Sequence, residues 1–128
     1  MRTDGNSFSV STRVQPHNRN ENDLWRHTIT LLQFWQNDDE DRYLSMCERI
    51  SHIGLIFGYK NEDGKPDKFA YRFIVTPDIL ERLNARETYE ANILYQIYND
   101  CIREPYFTKI VDKIDKIKLV IECHDLSE

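Results

Sequence analysis

The sequence contains no apolar run longer than a few residues, far short of the ~20 needed for a helix to cross a bilayer. A membrane-spanning segment is therefore not expected. There is also no charged-then-apolar leader. Met1 to Asn22 is polar almost throughout, and the expectation is an intracellular protein, cytoplasmic or nuclear. Cysteine is scarce. Cys47, Cys101 and Cys123 are odd in number and far apart, which argues against a disulfide framework and for a reducing compartment. Positive charge is not in excess either: 17 Lys and Arg stand against 22 Asp and Glu, a net charge of -5. A general nucleic-acid binder uses a surplus of cations to displace counterions. This balance disfavours broad phosphate-backbone binding but leaves room for a local basic patch.

Several chemical signatures are missing as well. The chain has no GxxxxGK[ST], no GxGxxG and no GxSxG, so phosphate loops and serine-hydrolase elbows have no signal. Without a CxxC pair, a structural zinc ribbon has no ligands. Asp38-Asp39-Glu40-Asp41 is acidic but lacks the ligand spacing, central Gly and terminal Glu of an EF-hand loop. It fits the start of a helix, where carboxylates complement the dipole. No cofactor and no metal ligand set is expected.

What is present is a foldable globular composition, 40% apolar and 30% charged. At 128 residues the chain is one domain, large enough for a core without metals or disulfides. The organising stretch runs from His52 to Thr76. Ile53, Leu55, Phe57 and Tyr59 alternate with Gly54, Ile56, Gly58 and Lys60. Phe69, Tyr71, Phe73 and Val75 alternate likewise with Ala70, Arg72, Ile74 and Thr76. A period of two places one aromatic-rich set on one face of a β-hairpin, and Asp63-Gly64 supplies the turn.

Residues 1–22 predict a flexible polar arm anchored only by Phe8 and Val14, with Phe8-Ser9-Val10 and Thr12-Arg13-Val14 offering the alternation of a short edge strand. Residues 23–128 predict the globular domain. A first helix starts at an Asn22 or Asp23 cap and carries Leu24, Trp25, Thr28, Ile29, Leu32 and Trp35 at helical spacing. A second covers Arg42 to Ile50. Thr76-Pro77-Asp78 begins a third, with a possible break at a capping box over Asn84-Ala85-Arg86-Glu87. Tyr89, Ile93, Leu94, Ile97, Tyr98, Cys101 and Ile102 form an apolar stripe that Pro105 stops. Tyr106 to Asp115 reads as a short helix and Ile117 to Cys123 as a final strand. The predicted fold is α+β: a three-stranded sheet made of the central hairpin plus the C-terminal strand, packed with four or five helices in the order α-α-β-β-α-α-β.

The aromatic content and the missing catalytic motifs point to a non-catalytic interaction module, protein-binding or dimerising. Trp25, Trp35, Tyr89, Tyr95 and Tyr106 are its candidate interface residues. A metal-dependent phosphodiesterase or nuclease is the competing class, with Glu48, Asp67 and Lys68 as its residues. It lacks the Glu-x-Lys element such a site uses. A third class is a small RNA-binding regulatory protein using Arg103, Lys109, Lys113, Lys116 and Lys118. Asp112 and Asp115 interleave with these lysines, which predicts a solvated, self-paired face. Cys47, His52, Cys123 and His124 approach one another if the last strand lies beside the first arm of the hairpin, but their spacing matches no closed metal site.

Overall fold

A computed structural model describes residues 7–84 and 90–124. Strand β1 (Ser7–Arg13) leads through a 3-10 turn (Pro16–Asn18) into α1 (Glu21–Asp38) and α2 (Glu40–Cys47). The hairpin β2 (Ile50–Lys60) and β3 (Pro66–Ile74) follows. Then come α3 (Pro77–Asn84), α4 (Glu90–Ile102), α5 (Pro105–Ile110), a 3-10 turn (Val111–Lys113) and β4 (Ile114–Cys123). The architecture is α+β, with helices on one face of a four-stranded antiparallel sheet ordered β1-β4-β2-β3.

The period of two in β2 does what the pattern predicts. Ile53, Leu55, Phe57 and Tyr59 are all buried. Across the ladder they meet Ile121, Leu119 and Ile117 of β4, and on the other side Phe73, Tyr71 and Phe69 of β3. Rows of apolar side chains thus run across the sheet, and the helices close over them. Phe57 is fully buried and meets Phe107 of α5 edge-on at 5.2 Å. Fully burying a side chain of this size contributes about 1.5–3 kcal/mol. On α1, Leu24, Thr28, Leu31, Leu32 and Trp35 are buried, spaced as one helical face. From α4, Leu94, Ile97, Tyr98 and Cys101 point into the same core. The Tyr98 hydroxyl donates to the Glu21 carbonyl at 2.6 Å, tying α4 to the first turn of α1.

Four expectations change. The sheet has a fourth strand. Residues 7–13, assigned to the arm, pair along their whole length with β4, so Phe8 lies opposite Ile121 and Val10 opposite Leu119. Phe8 and Val14 are core residues. The cap of α1 is Asn20, whose side chain accepts from the Asp23 N–H at 3.0 Å, two residues before Asn22 and three before Asp23, the predicted caps. The short helix before the last strand ends at Ile110, and β4 starts at Ile114, since Ile114 pairs with Tyr59 of β2. Other starts agree with prediction. Asp39 caps α2 through the Arg42 N–H at 3.1 Å, and Thr76 Oγ1 accepts from the Ile79 N–H at 3.3 Å ahead of Pro77. The capping box over Asn84 to Glu87 lies outside the described residues.

Candidate docking face of the sheet

Because the helices cover one face, the other is left open. It is lined by the residues that alternate with the core set. From β1 come Ser7, Ser9, Ser11 and Arg13, and from β4 Lys116, Lys118, Val120 and Glu122. The central strand β2 contributes His52, Gly54, Ile56, Gly58 and Lys60, and β3 contributes Pro66, Lys68, Ala70, Arg72 and Ile74. Ala70 and Arg72 are exposed, and Ile74 is 65% exposed. Its strand residues include no Phe, Tyr or Trp, and the aromatic ring among them is the His52 imidazole.

Its two halves differ. At the end near Ile74, Arg72 donates to Glu122 Oε1 at 2.7 Å, and His52 Nδ1 lies 3.8 Å from the same oxygen. The strand order places β2 between β3 and β4, so the guanidinium reaches across β2, and Gly54, opposite Arg72, leaves its path clear. The Arg72 hydrogen bond holds the Glu122 carboxyl below the usual carboxylate range, against the opposing effect of partial burial.

At the other end the surface dips over Gly58 into an open trough of about 340 Å³. Lys60, Lys68, Lys116 and Lys118 line it with Asp67 and Asp115. Lys116 and Lys68 flank Gly58 from its two neighbouring strands. A Cβ built on Gly58 would come no nearer than 3.5 Å to any atom, the nearest being the Lys116 Cβ. The fold therefore accommodates alanine there. Glycine weakens a strand by roughly 0.5–1 kcal/mol relative to alanine, and marks either a bulge or a close approach by a ligand or another backbone; the ladder with β4 shifts register just after Gly58. Around the corner a second depression, about 310 Å³, lies between the hairpin turn and Tyr106, Lys109 and Lys113. The Tyr59 and Tyr106 hydroxyls are hydrogen-bonded to each other. That bond, followed by burial, raises the Tyr59 phenol well above its ordinary value.

The predicted site residues are scattered by comparison. Trp35 is 3% exposed, packed edge-on against Tyr43 at 4.7 Å. It is core, and the surface role expected of it is withdrawn. Trp25 is half-buried against Tyr95 at 5.2 Å and Tyr98 at 5.3 Å. Tyr95 and Tyr106 are 53% and 45% exposed, on α4 and α5 respectively. Tyr89 lies outside the described residues. The strip from Arg103 to Lys118 divides: Lys116 and Lys118 project from the open face of β4, Lys109 and Lys113 border the second depression, and Arg103 follows α4. Nor is it self-paired. The helical spacing that suggested pairing ends at Lys113, and among the described residues no lysine is ion-paired.

The three residues of the nuclease reading stay apart. Glu48 caps the end of α2, just before β2 begins, whereas Asp67 and Lys68 pair with Tyr59 and Gly58 near the far end of that strand. Ten strand residues at about 3.3 Å each separate them. Cys47, His52, Cys123 and His124 do gather at one end of the sheet, since Ile50 pairs with Cys123. Their side chains diverge: Cys123 Sγ approaches the Met46 carbonyl at 3.7 Å, while His52 turns to Ser51 Oγ at 2.9 Å on the open face. Among the described residues no group of three or more His, Cys, Asp or Glu could hold a metal ion, and no helix is long and apolar enough to cross a membrane.

Sequence reasoning missed the open face because it followed the aromatics. The available signal was the polar, small half of the same alternation, with two glycines in one strand. Among known proteins, no family model matches the chain and no curated sequence is significantly similar to it.

Proposed function

We propose that the chain is a macromolecular-interaction module, protein-binding or dimerising and without catalytic activity of its own, which receives its partner on the open face of the sheet. The observation that carries this reading is Gly58. It stands in one of the two internal strands, beside the register shift between β2 and β4, bears no positive φ, and occupies a place where alanine fits. A glycine suits the register shift beside it, but the room left for a methyl group shows that the fold does not require one, which favours a role in close approach from outside. Around it, exposed Ala70 and half-exposed Ile56 and Val120 offer a flat, mixed surface of the kind that non-obligate interfaces use.

The reading is tested by photocrosslinking from single positions of the full chain in its native cell. A photoreactive residue at Ala70 captures a discrete species, of twice the chain's mass if the partner is a second copy. The same residue at Gln33, exposed on α1, captures none. Equal capture from both positions, or none from Ala70, overturns the proposal.

A further inference from the structure

The chain contains seven lysines, and the fold collects all of them at one end of the sheet. Lys60, Lys65 and Lys68 flank the turn of the β2–β3 hairpin, and Lys109 and Lys113 border the same turn from α5 and the 3-10 turn after it. Lys116 and Lys118 enter β4 opposite Gly58 and Ile56. Arg13, opposite Lys116 on β1, adds a further cation on the open face. In a chain of net charge -5 this end is the positive pole.

We propose that the trough over Gly58 receives an acidic segment of a protein partner, with carboxylates paired to Lys68, Lys116 and Lys118. This rests on the docking reading of the open face and names the chemistry of what docks there. Three observations carry it. Lys68 and Lys116 sit on either side of a residue with no side chain, so two cations are held on one row of the sheet, with the Asp115 carboxylate at its edge, Oδ1 3.8 Å from a Cβ built on Gly58. Neither is ion-paired among the described residues, although Asp67 and Asp115 line the same trough. The Asp67 carboxylate is turned back to accept the Lys68 N–H at 2.8 Å.

The same surface selects against nucleic acid. Single-stranded recognition rests on bases stacked over aromatic rings; of the rings near the trough Tyr59 is buried, and His52 lies at the other end of the face beside Glu122. The negative charge on the rest of the chain repels a long phosphate backbone. An extended acidic segment needs neither stacking nor a long basic track. It needs a smooth floor for its backbone and a few cations for its side chains, which Gly58 and the lysines supply.

The full chain is titrated by fluorescence anisotropy with a labelled oligoglutamate peptide and, separately, with an oligouridylate of equal length. The peptide is expected to bind more tightly than the oligouridylate and to weaken with added salt. The double variant Lys68→Glu/Lys116→Glu should lose about tenfold or more in affinity, as charge reversal at complementary interfaces does. Gly58→Val, which keeps every charge, should weaken the peptide comparably. Arg26→Glu, on the N-terminal half of α1, should leave binding unchanged. Tighter binding of the oligouridylate, absence of peptide binding, or binding indifferent to either trough variant overturns the inference. The crosslinker at Ala70 separates this from the broader reading. Capture that persists in Lys68→Glu/Lys116→Glu refutes the acidic segment and leaves the docking face standing, whereas loss of capture at Ala70 in the unaltered chain refutes both.

Discussion

At the scale of single residues, the open face is held in shape by charge where the buried face is held by packing. Arg72 and Glu122 span the central strand with one short hydrogen bond, and their side chains are 59% and 39% exposed. Solvent screens such a pair, so its worth is about 0.2–1 kcal/mol. Its pH dependence follows from the direction of the shift. The folded-state carboxyl of Glu122 titrates below its unfolded value. The stabilisation is therefore fully present above the unfolded value and is lost as pH falls through the lowered folded one. Urea melts from pH 7 downward are expected to show Arg72→Ala less stable than the unaltered chain near neutrality, with the gap closing in acid and shrinking with added salt. A gap independent of pH would mean that Arg72 acts through packing alone.

The other notable side chains are buried polar groups with clear local causes. Burial, then the Glu21 charge, raises the Tyr98 phenol, whose hydroxyl meets the Glu21 carbonyl. Thr28, fully buried in α1, donates to the Leu24 carbonyl at 2.8 Å within its own helix. The Trp35 indole N–H has no hydrogen-bond partner among the described residues. Its ring contacts with Phe8 and Tyr43 show that area burial decides its position.

At the scale of elements, the hairpin β2–β3 separates two uses of glycine. Gly64 lies in the turn at φ 76°, the left-handed region, where a Cβ is strained although the space around it is open. Gly58 lies in a strand, beside the shift in its register with β4, with room for a methyl group. The pair gives opposite expectations in denaturation. Gly64→Ala should destabilise by about 1 kcal/mol, the usual cost of the left-handed conformation for a residue with a Cβ. Gly58→Ala should be neutral or stabilising by about 0.5–1 kcal/mol. If Gly58→Ala instead destabilises as strongly as Gly64→Ala, glycine is there for the fold and not for a partner's approach.

Helix starts were legible at this scale because caps are local. Asp39 and the Thr76-Pro77 start were visible in sequence, and the structure gives each its hydrogen bond. The shift at α1 from Asp23 to Asn20 arises because Asn20, Asn22 and Asp23 are all competent caps, and the chain's path out of the preceding 3-10 turn selects among them.

At the scale of the whole molecule, the core is continuous from β1 to α5, and thiol chemistry should report on it. Cys101 is fully buried. Burial first, then Asp100 and Glu104, pushes its thiol up to about 12. Burial also raises Cys123, against the opposing pull of Arg49 and Arg42. Since thiolate is the reactive form, a thiol reagent at pH 8 should modify Cys101 only at the rate of global unfolding. Cys101→Ala should remove one thiol from that slow phase, which buried Cys47 shares, and leave the labelling of Cys123 unchanged. Rapid labelling of Cys101 in the native protein would show that α4 opens on its own, apart from the rest of the core.

By itself, the sequence determined the α+β class, the hairpin and its buried face, and most helix starts. Each is fixed by neighbours within a few residues: the alternation of apolar side chains, the cap before a helix, the proline that starts or stops one. The tertiary structure alone decided that the alternation within residues 7–13, read as an arm or a short edge strand, is a full strand of the sheet, that β4 lies between β1 and β2, and that Trp35 is core. It also decided that lysines up to 58 residues apart in the chain share one pole. The physical reason is distance along the chain. The hydrogen bonds that make β1 a strand come from residues more than a hundred positions away, and the helices could cover only one face of the sheet. Which polar side chains then stand together on the open face is fixed by strand register across the ladder, and no window of the sequence contains it.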